Sequence, residues 1–272
     1  MAGQQQINDF SLAGYGEKGK KSWDVSGKSA DILDNVVKMN QVEGNMYGEK
    51  DNIKLTSDKG DFDKAEGKVH LQDNVVITTT SGAKLTTDSL DWDRKAQVVT
   101  TKDQVNIDRD GIKVKAIGAK GQTDLKTVAL EKDVRLDIDQ KSKEPEGKLS
   151  KIVITCDGPL EIDYEKNVAV FKNNVKVERP DSVIYSDRMD VFFIPGKQSK
   201  SEAKKEDSSQ GMMSGSKIDR IVASGNVRVI RGENTSFSQE AVYSAADQKL
   251  TLSGRPKLVI YSTEGMDAPV GN

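Results

Sequence analysis

Residues 14–22 read Gly14-Tyr15-Gly16-Glu17-Lys18-Gly19-Lys20-Lys21-Ser22, a spacing that could in principle cradle a phosphate. It satisfies G-x-G-x-x-G and approaches the glycine-lysine loop of nucleotide-binding proteins. That loop needs Ser or Thr directly after its lysine to reach a metal ion, and Lys21 stands there instead. It must also open a helix, whose N-terminal dipole holds the phosphate. Trp23-Asp24-Val25-Ser26-Gly27 follows and is patterned as an extended strand. The segment therefore reads as a solvated lead-in to the first strand. Aspartates are the next candidates, yet Asp61-Phe62-Asp63 lacks the third ligand and the glycine of a calcium loop, so strand ends and turns account for them. His70, the one histidine, lies on the face opposite Val69 and Leu71 and is expected to face solvent. With one histidine and one cysteine, no Ser-His-Asp or Cys-His arrangement has a context. Cys156 shares a strand phase with Ile152 and Ile154 and reads as a small core residue. Asn234-Thr235-Ser236 is formally a glycosylation sequon, a pattern that arises often by chance. No cofactor or metal is implied.

Composition sets the class. The chain has 272 residues, of which 35% are apolar, 5% aromatic and 31% charged. That is lean for a compact enzyme and suits thin β layers with one wet face. A net charge of −2 gives no basic surface for nucleic acid. No stretch approaches the ~18 apolar residues of a membrane helix, and Met1 to Ile7 lacks the apolar core of a signal peptide.

What must position any site is a repeated short pattern. Asp58 to Asp63 is followed by Asn74-Val75-Val76-Ile77, and about thirty residues later Asp88 to Asp93 is followed by Gln104-Val105-Asn106-Ile107. The cadence returns at Asp133-Val134-Arg135-Leu136, Asn174-Val175-Lys176-Val177 and Asn226-Val227-Arg228-Val229. Each copy reads as an alternating strand, a polar turn, a second strand and a Gly/Asn/Asp corner. Self-similarity of this kind predicts a stack whose single units cannot bury their apolar faces alone. Period-two alternation predicts strands with Val69, Leu71, Val75 and Ile77 on one phase, and likewise Val168 and Val170, Val175 and Val177, Val227 and Val229, and Leu250 and Leu252. Asp93-Arg94-Lys95-Ala96, Tyr164-Glu165-Lys166-Asn167 and Ala246-Asp247-Gln248-Lys249 supply the turns. No helix of normal length is expected, and Asp31 to Met39 reads as strand or loop. Residues 140–148, polar and containing Pro145, divide the chain as a linker, and residues 196–217, rich in Ser, Lys and Glu, form a mobile insert.

Two segments resemble the periplasmic lipopolysaccharide-transport bridge proteins, the OstA-like group. They are Gly67 to Asp93, reading GKVHLQDNVVITTTSGAKLTTDSLDWD, and Ser224 to Gly254, reading SGNVRVIRGENTSFSQEAVYSAADQKLTLSG. The half before Asp139, opening at Phe10 and Trp23-Asp-Val-Ser-Gly27, resembles the membrane-anchored component LptC. The half from Lys148 to Ser262 resembles the soluble bridge LptA. The resemblance implies an all-β architecture of two tandem modules, each a twisted, V-shaped β-jellyroll open along one side. The division is a tail at 1–9, an LptC-like module at 10–139, the linker, an LptA-like module at 149–264 and a tail at 265–272. It implies lipopolysaccharide as cargo, held by its acyl chains, and an inner-membrane ABC transporter as source. An outer-membrane translocon or further bridge modules, joined by edge-strand pairing, are the implied destination. The implied location is the periplasm, with anchoring to the inner membrane through an N-terminal segment this chain does not include.

The candidate lining is the inward phase: Val69, Leu71, Val75, Ile77, Leu90, Trp92, Val105 and Ile107 in the first module, then Ile162, Val168, Val170, Val175, Val177, Val227, Val229, Phe237, Leu250 and Leu252 in the second. Two other classes stay open at this point. A structural β-stack, such as an adhesin stalk, would use the same residues as a closed dry core. An enzyme acting on surface polysaccharide would need an acidic cleft, and no carboxylate pair is singled out.

Overall fold

The computed structural model describes residues 5–16, 19–48, 51–109, 111–123, 126–141, 149–194, 217–247 and 249–259. Among them the chain forms seventeen strands and no α-helix. The first eight are β1 (Gln5–Tyr15), β2 (Lys21–Leu33), β3 (Val36–Tyr47), β4 (Asn52–Asp63), β5 (Lys68–Thr79), β6 (Lys84–Asp93), β7 (Val98–Arg109) and β8 (Ile112–Gln122). The rest are β9 (Thr127–Lys141), β10 (Leu149–Cys156), β11 (Leu160–Asp163), β12 (Val168–Arg179), β13 (Ser182–Ile194), β14 (Lys217–Arg231), β15 (Asn234–Ser244), β16 (Lys249–Ser253) and β17 (Lys257–Val259).

All pairings are antiparallel, and from β1 to β9 each strand pairs with the next. β10 and β11 both lie between β9 and β12, so they act as one strand interrupted at Asp157-Gly158-Pro159. The meander continues through β13 and β14 to β15, against which β16 and β17 are laid end to end. The sheet is thus unbroken from one half of the chain to the other.

The Gly/Asn/Asp corners are not hairpin turns but bends in the middle of strands. Asp73 and Asn74 in β5, Asp133 in β9, Asn173 and Asn174 in β12, and Gly225 and Asn226 in β14 all adopt positive φ, between 48° and 75°. Register shifts mark three of these sites, between Gln72 and Val75, between Lys172 and Val175, and between Ser224 and Val227. Asn, Asp and Gly are the residues that visit this region at low cost, and an extra residue in one strand bends it. Neighbouring strands brace the bends through side chains: Asn74 Nδ2 donates to Asp58 (2.7 Å), Asn174 Nδ2 to Asp157 (2.5 Å) and Asn226 Nδ2 to Asp187 (2.8 Å). Gly225 is required for space as well, because a Cβ there would lie 2.4 Å from an Asp187 carboxylate oxygen.

Behind each bend a valine plugs the inside of the fold, opposite a small residue of the adjacent strand. The pairs are Val42 with Ser57, Val75 with Thr87, Val105 with Ala116, Val134 with Cys156, Val175 with Ser186, and Val227 with Ser238. All twelve residues are buried, the valines at 0–4% exposure. This seam is the floor of the molecule. Cys156 takes the small-residue place in its pair, as the core role expected of it requires.

The aspartates close the hairpins. Asp63 Oδ1 accepts from the backbone N–H of Ala65 and Glu66, Asp93 Oδ1 from Lys95 and Ala96, and Asp163 Oδ1 from Lys166, at 2.8–3.0 Å. One repeat is one hairpin, which explains the thirty-residue interval.

Several boundaries differ from expectation. Gln5–Asp9, expected as tail, belong to β1, and Gln5 to Asn8 pair with β2, a polar strand that apolar alternation does not reveal. The glycine-rich lead-in is a hairpin: Gly14 and Tyr15 end β1, and Lys21 and Ser22 begin β2. Gln140 and Lys141 of the expected linker continue β9 and pair with Ser150 and Leu149. Residues 142–148, the insert at 196–216 and the tail at 265–272 lie outside the described residues, and Lys217 already belongs to β14.

Candidate functional site

The bends divide each strand into two legs, and lateral register carries an apolar row along the inner face of each. On one leg Leu55, Ile77, Leu85, Ile107, Val114 and Leu136 stand side by side, each paired with the next. The row continues without a break through Ile154, Val177, Ile184 and Val229. At ~4.8 Å per strand these ten aliphatics span roughly 40 Å. On the other leg Phe62, Val69, Trp92 and Val99 lead through Gly121 and Val128 to Ile162, Ala169, Val191, Ile221, Tyr243 and Leu250. Both rows cross the junction between the two halves.

Burial falls away from the seam. Of the expected lining, Leu71, Val75, Leu90, Val105, Val175, Val177 and Val227 are buried, at 0–7% exposure, and pack as floor. Val69, Ile77, Trp92, Ile107, Ile162, Val229 and Leu252 are half-buried and pack against that floor. Leu250 shares the inward phase with Leu252 and, at the last strands, is 46% exposed.

Three expected residues face the other way. Val168 and Val170 alternate with Ala169 and Phe171, which are the buried pair, so both valines lie on the outer face. Phe237 is exposed beside buried Ser238 and pairs laterally with Arg228, whose guanidinium rests on the Tyr185 ring of the outer face.

At one end of the first half the two legs face each other across a cleft of about 470 Å³. Trp23 and Met46 line it from one leg, Trp92 and Gly67 from the other, with Arg94, Lys95 and Gln97 from the turn after β6. The Arg94 guanidinium lies 5.6–5.9 Å from the ring centres of Trp23, Phe62 and Trp92. Gly14 makes room for Trp23, since a Cβ there would overlap the indole. The sequence reading missed this mouth; its signal was that both tryptophans of the chain stand at inward positions.

Polar clusters elsewhere are structural. Asp24, on the outer face, accepts from Lys21 (2.5 Å), Asn45 (2.8 Å) and the Tyr47 hydroxyl (2.7 Å). Those donors, Lys21 first, hold its carboxyl at a pKa of about 2. His70 lies on the outer phase with Nδ1 2.6 Å from Asp91 Oδ1, and burial pushes the Cys156 thiol up. No group of three or more His, Cys, Asp or Glu suited to a metal occurs among the described residues. No helix among them is long and apolar enough to cross a membrane.

Comparison with known families fits this architecture. Residues 4–139 match the family described as lipopolysaccharide-assembly, LptC-related, and residues 154–268 match the LptA/(LptD N-terminal domain) LPS transport protein family. Among curated proteins none matches the chain. The bridge families are periplasmic transport proteins rather than enzymes, and they carry a role in lipopolysaccharide transport. The chain belongs to the LptC-related lipopolysaccharide-assembly family, with an LptA-like unit as its second half.

Proposed function

We propose that the chain carries lipopolysaccharide towards the outer membrane by sliding its acyl chains between the two apolar rows, above the seam. The observation that supports this most is the continuity of the rows: ten strands contribute Leu, Ile or Val in unbroken register from Leu55 to Val229, across the junction of the halves. A lipid moved in steps needs a surface without a deep energy well, and a repeated aliphatic stripe provides one. Each methylene withdrawn from water contributes roughly 0.8 kcal/mol, so several acyl chains face tens of kcal/mol in open water. A stripe that shelters them removes most of that barrier. Nothing in the stripe supplies energy, and an inner-membrane ABC transporter at one end of the track would push the cargo. The outer edges of β1 and of β16 with β17, which pair with no further strand among the described residues, are the places for strand pairing with the transporter complex and with a downstream module or translocon. Attachment at the inner membrane belongs to the same proposal.

The test is recovery of cargo. Full-length chain, affinity-purified from Gram-negative envelopes in mild detergent, should bring lipopolysaccharide with it by mass spectrometry. A Val229→Asp/Ile77→Asp double variant that remains folded should lose it. Equal recovery by both proteins would count against the groove and in favour of a closed structural stack.

A further inference from the structure

We infer that the mouth at Trp23, Trp92 and Arg94 is a binding station for a phosphate-bearing headgroup whose apolar tail lies in the groove. This rests on the groove reading and adds a polarity to it. The mouth joins two chemistries. Its walls are the indoles of Trp23 and Trp92 with Met46, a surface for hydrocarbon, and its rim carries the cations of Arg94 and Lys95. Among the described residues no carboxylate lies within ion-pairing distance of Arg94; its guanidinium sits 5.6–5.9 Å from three ring centres instead. Cation–π contact at that distance leaves the guanidinium N–H groups available for a bidentate anion. Lys95 Nζ is held by the Ala65 carbonyl at 3.2 Å, and the nearby Asp93 has one oxygen committed to the turn it caps.

The equivalent end of the second half carries different chemistry. Its row ends in Ile221, Tyr243 and Leu250, and Arg220 lies over the outer-face ring of Phe192. Among the described residues the aromatic–cation mouth is found in the first half, where cargo would be oriented before the tails run on through the second.

Both tryptophans of the chain line this cleft, so tryptophan emission, excited selectively over tyrosine, reports on it alone. The full chain is titrated, below micelle formation, with dodecyl phosphate, with neutral dodecyl maltoside and with inorganic phosphate. Dodecyl phosphate should shift the emission with at least ~10-fold tighter affinity than the maltoside, and inorganic phosphate should leave it unchanged at equal concentration. The Arg94→Gln/Lys95→Gln variant should bring the two amphiphiles within about twofold, while Arg94→Lys keeps most of the preference at an unchanged melting temperature. Equal affinities in the unaltered chain, or a preference that survives the double glutamine variant, would overturn the headgroup station and leave the groove standing. An inorganic phosphate response matching that of dodecyl phosphate would replace the amphiphile with a simple anion. Binding of neither amphiphile would remove the groove along with the station.

Discussion

The seam and the two rows beside it are built from the same aliphatic residues on the same strand phase, yet they do different things. In the seam each valine meets a small partner across a bend and is sealed, as with Val75 against Thr87 and Val175 against Ser186. Two residues further along, Ile77 and Val229 pack against that core yet remain half-buried, whereas Leu136 and Val177 at the same remove are closed over. Place in the sheet, not residue type, decides whether an aliphatic is sealed or half-buried: the second position past the seam valine is closed in β9 and β12 and partly exposed in β5, β7 and β14. The seam supplies stability, and the rows are left to supply the surface on which a lipid could move.

The largest effect should come from placing one charge in each region. Val175→Asp puts a carboxylate where the side chain is 1% exposed and is expected to cost at least about 4 kcal/mol, leaving the protein unfolded or insoluble. Val229→Asp should cost less than about half of that in urea unfolding, because its carboxylate can reach water, while abolishing lipid recovery. Equal destabilisation by the two would erase the distinction between floor and lining. A gentler version compares Val227→Ala with Val69→Ala. Loss of two methyls in the closed seam should cost about 2 kcal/mol, and in the half-open row under about 1 kcal/mol.

Acid should spare the seam and strike the outer face. The Asp24 carboxyl titrates at about 2 in the fold against 3.8 for the free group. Its contribution is therefore complete above pH 3.8 and disappears as the pH falls towards 2. Melting temperature should drop across that window and Asp24→Asn should flatten the drop; an unchanged slope in the variant would assign the acid sensitivity elsewhere. The smallest effect concerns the seam's hydroxyls. Ser186 Oγ is buried without a hydrogen-bond partner among the described residues, so Ser186→Ala should leave stability unchanged or raise it by up to ~1 kcal/mol in urea unfolding.

Much of this was legible in the chain. The Asn-Val cadence marked each bend, the aspartates marked each turn, and the alternation around Val75, Val105 and Val227 gave the inward phase correctly. The failures have particular causes. Val168-Ala169-Val170-Phe171 is apolar on both phases, so alternation cannot choose between them; the two-residue bend at Asn173 and Asn174 preserves the phase of Ala169 and Phe171 into Val175. Phe237, expected inward, lies on the outer face, and Ser238 beside it is the buried residue. Ser238 takes the small-residue place opposite Val227 and is buried there despite its hydroxyl. β1 went unseen because a strand exposed along nearly its whole length has no apolar rhythm. The mouth was missed because Trp23 and Trp92 lie far apart in sequence, and only the bending of the sheet brings their legs face to face.

The most direct test of the groove is a photo-crosslinking scan across both faces of the second half in living cells. A photoreactive residue would be placed singly at Val229, Leu250 and Leu252 on the inner phase, and at Val168, Val170 and Phe237 on the outer. Lipopolysaccharide adducts should form at the first three positions and not at the second three. Adducts on both faces alike, or none on the inner face of a protein that is folded and expressed, would contradict a lipid-bearing groove.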